Sequence, residues 1–155
     1  MTRSADIDDV DRRILDALLS DGRAGASDLA EAAGVAASTA TKRLQRLEQS
    51  GVIEQYGPEV DYAALGYEVT AVFRLAVAGD GIPALVEDLR ATDRMVDVYE
   101  VTGSDDVVAI GKFTDTTELD AQVKRLLTHE HVRSVSTDIV LDTVCEHDPV
   151  PVLEE

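Results

Sequence analysis

The sequence predicts an α+β protein of two modules, three helices followed by a strand-helix-strand-strand-helix-strand run. Three observations carry that prediction. Apolar residues repeat at helical spacing up to Ser50 and switch to alternation from Tyr67 onward. A short turn containing Gly separates the second and third helical segments. Charge divides between the two parts: residues 1–50 hold seven Lys/Arg against nine Asp/Glu, while the remaining 105 hold seven against 22.

The elements follow in order. Val10, Ile14, Leu15, Leu18 and Leu19 form one stripe of a helix over Asp8–Ser20, stopped by Asp21-Gly22. A short helix fits Ser27–Ala33, with Leu29 and Ala33 inward and Gly34 at its end. A third fits Ala37–Ser50, with Ala40, Leu44 and Leu47 inward, closed by Gly51. The turn "AAGVA" between them, with small residues Ala30, Ala33 and Ala40 permitting close approach, has the spacing of a helix-turn-helix. Val52–Tyr56 is β-prone and predicts a short strand or wing.

Val69, Ala71, Phe73, Leu75 and Val77 alternate as one face of a strand. Ile82, Leu85, Val86 and Leu89 mark a helix. "MVDVYEVT" and "DVVAIGKF" predict two strands joined by a turn at Gly103-Ser104-Asp105. Leu119, Val123, Leu126 and Leu127 mark a second helix, and Val135, Ile139 and Leu141 one side of a last strand. This order is the ferredoxin-like arrangement, one sheet with two helices on one face. The other face keeps Val72, Val108 and Ile110, the mark of an association surface. The expected division is residues 1–56, a linker 57–66, the second domain 67–145 and a flexible acidic tail 146–155.

The chain of 155 residues is 45% hydrophobic, which excludes a disordered chain. Its formal charge of −17 argues against nucleic acid as a partner of the whole surface. Acid is 19 Asp and 12 Glu, while base is 11 Arg and three Lys, the balance of a protein from a salt-loving cytoplasm, here read as a haloarchaeal source. At ~1 M salt the Debye length is about 3 Å, so self-repulsion is screened. The single Cys145 excludes an intramolecular disulfide, and "MTRSADIDDVDRR" has no apolar secretory core. No apolar run approaches the ~20 residues of a membrane span. A cytoplasmic protein is expected.

The third helix is the exception to the acidity, with Lys42, Arg43 and Arg46 against Glu48. With Ala40 at zero on a 100° wheel, Ser38, Lys42, Gln45 and Gln49 lie at roughly 140–200°, with Thr39 and Arg46 beside them. Such a polar face is either a solvated surface or a face for a major groove, where amides and hydroxyls read base edges and cations hold phosphates or guanine. The Gly103-Ser104-Asp105-Asp106 run reads from its residues alone as a hairpin turn. His129-Glu130-His131 and Cys145-Glu146-His147 lack paired metal-ligand spacing, so no metal site is expected. No nucleophile elbow, P-loop, dinucleotide fingerprint or zincin motif is present, so an enzyme is not expected.

From Ile7 to Val144 the chain resembles the Lrp/AsnC (feast/famine) transcription regulators. The stretch "DDVDRRILDALLSDGRAGASDLAEAAGV–ASTATKRLQRLEQSGVI" is similar to their winged helix-turn-helix, and "ALGY", "VYEVTGSDD" and "VRSVSTDIVL" to segments of their effector domain. The resemblance implies DNA contacts by Ser38, Thr39, Thr41, Lys42, Arg43 and Arg46, to which the polar face adds Gln45. It also implies an amino-acid effector bound near Tyr99, Thr102, Gly103, Ser104, Asp105 and Asp106, at an interface between dimers. It further implies homodimers paired through the sheet, rings of such dimers, and pseudo-palindromic double-stranded operators. Two positions depart from the family. Ala36-Ala37 stands where Ser-Pro commonly opens the recognition helix, and Ser104 replaces the first acid of Gly-Asp-x-Asp. The expected function is a sequence-specific regulator whose assembly or DNA affinity responds to an amino acid or related metabolite, with no cofactor. The alternative is an effector-independent architectural DNA-binding protein.

Overall fold

The computed structural model describes residues 6–153, and the chain folds as two compact units. Among the described residues, the first comprises 6–59 with 145–153 and the second 60–144.

The first unit contains α1 (Asp9–Ser20), α2 (Ala26–Ala33) and α3 (Ala37–Gln49). Asp8 caps α1, its side chain accepting the Asp11 N–H at 3.0 Å while Asp11 accepts the Asp8 N–H at 3.1 Å. Gly34 ends α2 at φ +68°, a left-handed conformation that favours glycine. The chain then re-enters a helix at once, because Ala36 is extended and α3 begins without a side-chain cap. Ile14, Leu29, Ala30, Ala33, Ala40 and Leu47 form the buried core where the three helices meet. Leu19 falls outside the expected stripe and is exposed.

Val52–Tyr56 does not form a paired strand. Gly51 turns the chain at φ +76°, and the Val52 and Ile53 N–H groups close back on the Leu47 carbonyl, which precludes a ladder at its start. The C-terminal segment is not a free tail either. Arg12 Nη1 donates to the Val152 carbonyl at 3.1 Å. Val152 itself lines a 690 Å³ groove with Leu15, Leu18, Ile53 and Tyr56, because its apolar side chain finds cover there.

The second unit contains β1 (Val69–Val77), α4 (Ile82–Arg90), β2 (Met95–Glu100), β3 (Val107–Phe113), α5 (Thr116–Leu127) and β4 (Val132–Ile139). The sheet is antiparallel in the order β2-β3-β1-β4. Its core face carries Ala71, Phe73, Leu75, Val107, Ala109 and Phe113 against Leu85, Leu89, Leu119 and Leu126 of the helices. Phe73 and Phe113 meet edge to face at 5.9 Å. Gly111 is small because a Cβ there would lie 2.7 Å from the Phe113 ring. Leu127 and Leu141 do not join this core: Leu127 is exposed, and Leu141 lies beyond the end of β4, 99% exposed. On the opposite face Val72, Val108 and Ile110 are half-buried, with an Arg74–Asp138 ion pair across β1 and β4.

Candidate nucleic-acid interface and effector loop

The fully buried side chains of α3, Ala40 and Leu47, fix which way its other faces point. Ser38, Lys42 and Gln45 are exposed opposite them, and Thr39 is half-buried at the edge. Thr41 is exposed, but its hydroxyl donates to the Ala37 carbonyl at 2.9 Å, a bond within the helix. Glu48, the helix's lone acid, accepts from the Tyr56 hydroxyl at 2.7 Å. Partial burial, and then that carboxylate, push the Tyr56 hydroxyl up to about 12, so it stays a donor.

Arg43 and Arg46 have partners that their spacing alone does not reveal. Arg43 Nη1 lies 2.5 Å from Asp8 Oδ2 and 3.2 Å from Asp11 Oδ2. Arg46 Nη2 pairs with the same Asp11 oxygen and donates to the Asp6 carbonyl at 3.2 Å. The Asp11 side chain is wholly buried, whereas those of Arg43 and Arg46 are 28% and 50% exposed. Asp8 falls from the ordinary 3.8 to about 2, chiefly through the Asp11 N–H and then through Arg43. Two of the three basic side chains of α3 are therefore held by the start of α1. The sequence signals only half of this: Asp8-x-x-Asp11 is a helix-start pattern that places two carboxylates beside one another, without saying which cations meet them.

The effector candidates gather at the connection from β2 to β3. Tyr99 is exposed on β2, and Asp97 beside it raises its hydroxyl's pKa. Thr102, Gly103 and Ser104 are exposed at the tip, with Gly103 at φ +124°. Asp105 is half-buried. Asp106 is built into the sheet's end. Its Oδ2 accepts the Val77 N–H at 2.7 Å, its own N–H donates to the Leu75 carbonyl at 2.9 Å, and its carbonyl accepts from Val101 at 3.0 Å. Between these anchors the backbone N–H groups of Thr102 to Asp105 donate to no acceptor among the described residues. A run of backbone N–H groups without acceptors can meet an anionic group. Among the described residues, no group of three His, Cys, Asp or Glu is arranged to hold a metal, and no helix is long and apolar enough to cross a membrane.

Residues 7–54 match the winged helix-turn-helix DNA-binding family, and residues 70–150 match the Lrp/AsnC ligand binding domain. The chain belongs to the Lrp/AsnC family. It is 33% identical to the transcriptional regulator AldR of Mycolicibacterium smegmatis, over 90% of this chain and 84% of that one. It is 31% identical to the regulator FL11 of Pyrococcus furiosus, over 94% and 97%. Among solved structures, a transcriptional regulator of Neisseria meningitidis in complex with L-methionine superposes with a TM-score of 0.88. That match has 24% identity and covers 94% of this chain and 97% of that one. Escherichia coli AsnC superposes at 0.83, with 25% identity over 90% and 95%. The Lrp/AsnC relatives are transcriptional regulators of Pyrococcus and mycobacteria, and they lend no support to a haloarchaeal source.

The Lrp/AsnC assignment makes this chain a DNA-binding transcription regulator with a ligand-binding domain. Of the thirteen residues expected at its two sites, the structure brings seven onto α3 and six onto β2 and the loop after it. The carboxylates Asp8 and Asp11, which organise the first group, were not among them.

Proposed function

We propose that the outward face of α3 contacts operator DNA. Ser38, Gln45 and Lys42 meet base edges and phosphates, and Thr39, Thr41, Arg43 and Arg46 flank them. The observation that supports this most directly is the exposure of Ser38, Lys42 and Gln45 opposite the buried Ala40 and Leu47. A helix in the major groove needs such an arrangement of amide, hydroxyl and cation. Two chains pair through the half-buried Val72, Val108 and Ile110 and present two such helices to a pseudo-palindromic site. Rings of these dimers extend the same scheme. The protein works in the cytoplasm, where the DNA is.

The effector is an amino acid or a related metabolite. Its carboxylate is met by the N–H groups of Thr102 to Asp105 and its ammonium by Asp105, with Tyr99 alongside. The Neisseria regulator solved with L-methionine supports this class of ligand. Binding shifts the assembly state and so the affinity for DNA. The rival, an effector-independent architectural role, draws support from Asp106, whose carboxylate already serves Val77.

One experiment separates the two readings. Affinity for a duplex enriched from a random pool, and oligomer size, are measured with and without each of the twenty amino acids. A change with at least one of them is expected. No change in either quantity leaves the architectural reading standing.

A further inference from the structure

The acidic start of α1 holds the basic side chains of α3 in a particular way. Arg43 uses only Nη1 toward Asp8 and Asp11. Arg46 uses only Nη2 toward Asp11 and Asp6. The remaining guanidinium N–H groups, Nη2 and Nε of Arg43 with Nη1 and Nε of Arg46, donate to no described residue. A guanidinium is a rigid fork with five donors, so an acceptor on one edge fixes where the other edge points. Asp11 can act as that acceptor because it is wholly buried, which keeps water from competing for its oxygens. Its place is secured in turn by the Asp8 N–H at 3.1 Å. Arg46 lies one helical turn from Lys42, so the open edge of Arg46 continues the exposed basic face.

We propose that Asp11, with Asp8, is a positioning residue for DNA binding: it anchors one edge of Arg43 and of Arg46 so that the other edge is preset for backbone phosphate. This rests on the reading of α3 as the DNA-contacting helix. The two carboxylates also carry negative charge close to that surface, so two physical effects oppose each other here. Repulsion of phosphate predicts that neutralising either carboxylate tightens DNA binding. Presetting predicts the reverse, because a released guanidinium must be ordered again on binding.

The test uses the full-length protein, with a duplex enriched from a random pool by the wild type and the unselected pool beside it. Binding is followed by fluorescence anisotropy across a salt series for Asp11→Asn and Asp8→Asn. Both changes keep side-chain shape, and Asn remains a good helix cap at position 8. The expected result is binding about tenfold weaker for Asp11→Asn, with a smaller loss for Asp8→Asn. The salt dependence becomes shallower as phosphate contacts are lost. A merely structural role would not alter that slope in a variant whose melting curve shows it folded at the assay temperature. Tighter or unchanged binding by a folded variant overturns the proposal. Should Asp11→Asn fail to fold, the half-exposed Asp8 decides on the same two outcomes. Failure of the α3 reading itself looks different: Lys42→Ala then binds both duplexes as the wild type does.

Discussion

Asp11 and Arg46 form an ion pair whose carboxylate is completely buried while its guanidinium stays half exposed. The asymmetry ties a solvent-facing cation of α3 to the interior of the helical unit. Removing a side chain near this pair therefore has consequences for stability as well as for charge.

Lys42 differs from the two arginines in having no carboxylate partner among the described residues. Lys42→Ala should weaken binding to selected and unselected DNA alike and lower the magnitude of the salt slope by about one per helix. Its melting temperature should be unchanged. Anisotropy and a thermal melt check both halves.

Asp8→Ala removes the cap of α1 and one contact to Arg43, and should destabilise the unit by about 1 kcal/mol at neutral pH. The pH dependence has a definite sign. A carboxylate lowered from 3.8 to about 2 contributes fully above pH 3.8 and loses that contribution as pH falls through 2. The gap between wild type and variant should close across that window in urea titrations.

Asp106→Ala leaves the Val77 N–H without its acceptor at the end of β1. A loss of about 1–3 kcal/mol is expected for a buried donor left unsatisfied. Hydrogen exchange at Val77 should quicken. Ser104→Ala, at the exposed tip of the same loop, should leave both unchanged.

Gly111→Ala places a Cβ 2.7 Å from the Phe113 ring, which is fully buried and cannot swing away. Destabilisation by about 1–3 kcal/mol follows from overpacking. Denaturant unfolding of the second unit is the measurement.

Charge adds a prediction for the whole molecule. With a formal charge of −17, self-repulsion opposes the folded state in dilute buffer. The melting temperature should rise with NaCl as repulsion is screened, while DNA affinity falls.

The periodicity of the chain disclosed the element order, because Ile14, Ala40, Phe73, Leu85 and Leu126 sit where a 3.6-residue or two-residue repeat puts core residues. It failed where long-range pairing decides the outcome. Val52–Tyr56 has strand-like residues, but the Leu47 carbonyl draws the chain back before a ladder forms. Leu127 fits the helical stripe by count, yet it falls in the last turn of α5, past the cover of the sheet. At the candidate sites the residues on α3 were visible through their spacing. Their neutralisation by Asp8 and Asp11 was not, because those carboxylates lie more than thirty residues away in the chain. Likewise "GSDD" shows two acids, but only the fold shows that Asp106 is committed to Val77.

Along the chain, residues 60–144 of the second unit stand between the two segments of the first. Its chain enters at β1 and leaves at β4, neighbours in the sheet with Ala71 opposite Ile139. Within that unit the two ends of the sheet's chain thus lie side by side. In the first unit, a segment from beyond that excursion returns to the opening helices, where Arg12 holds it at Val152.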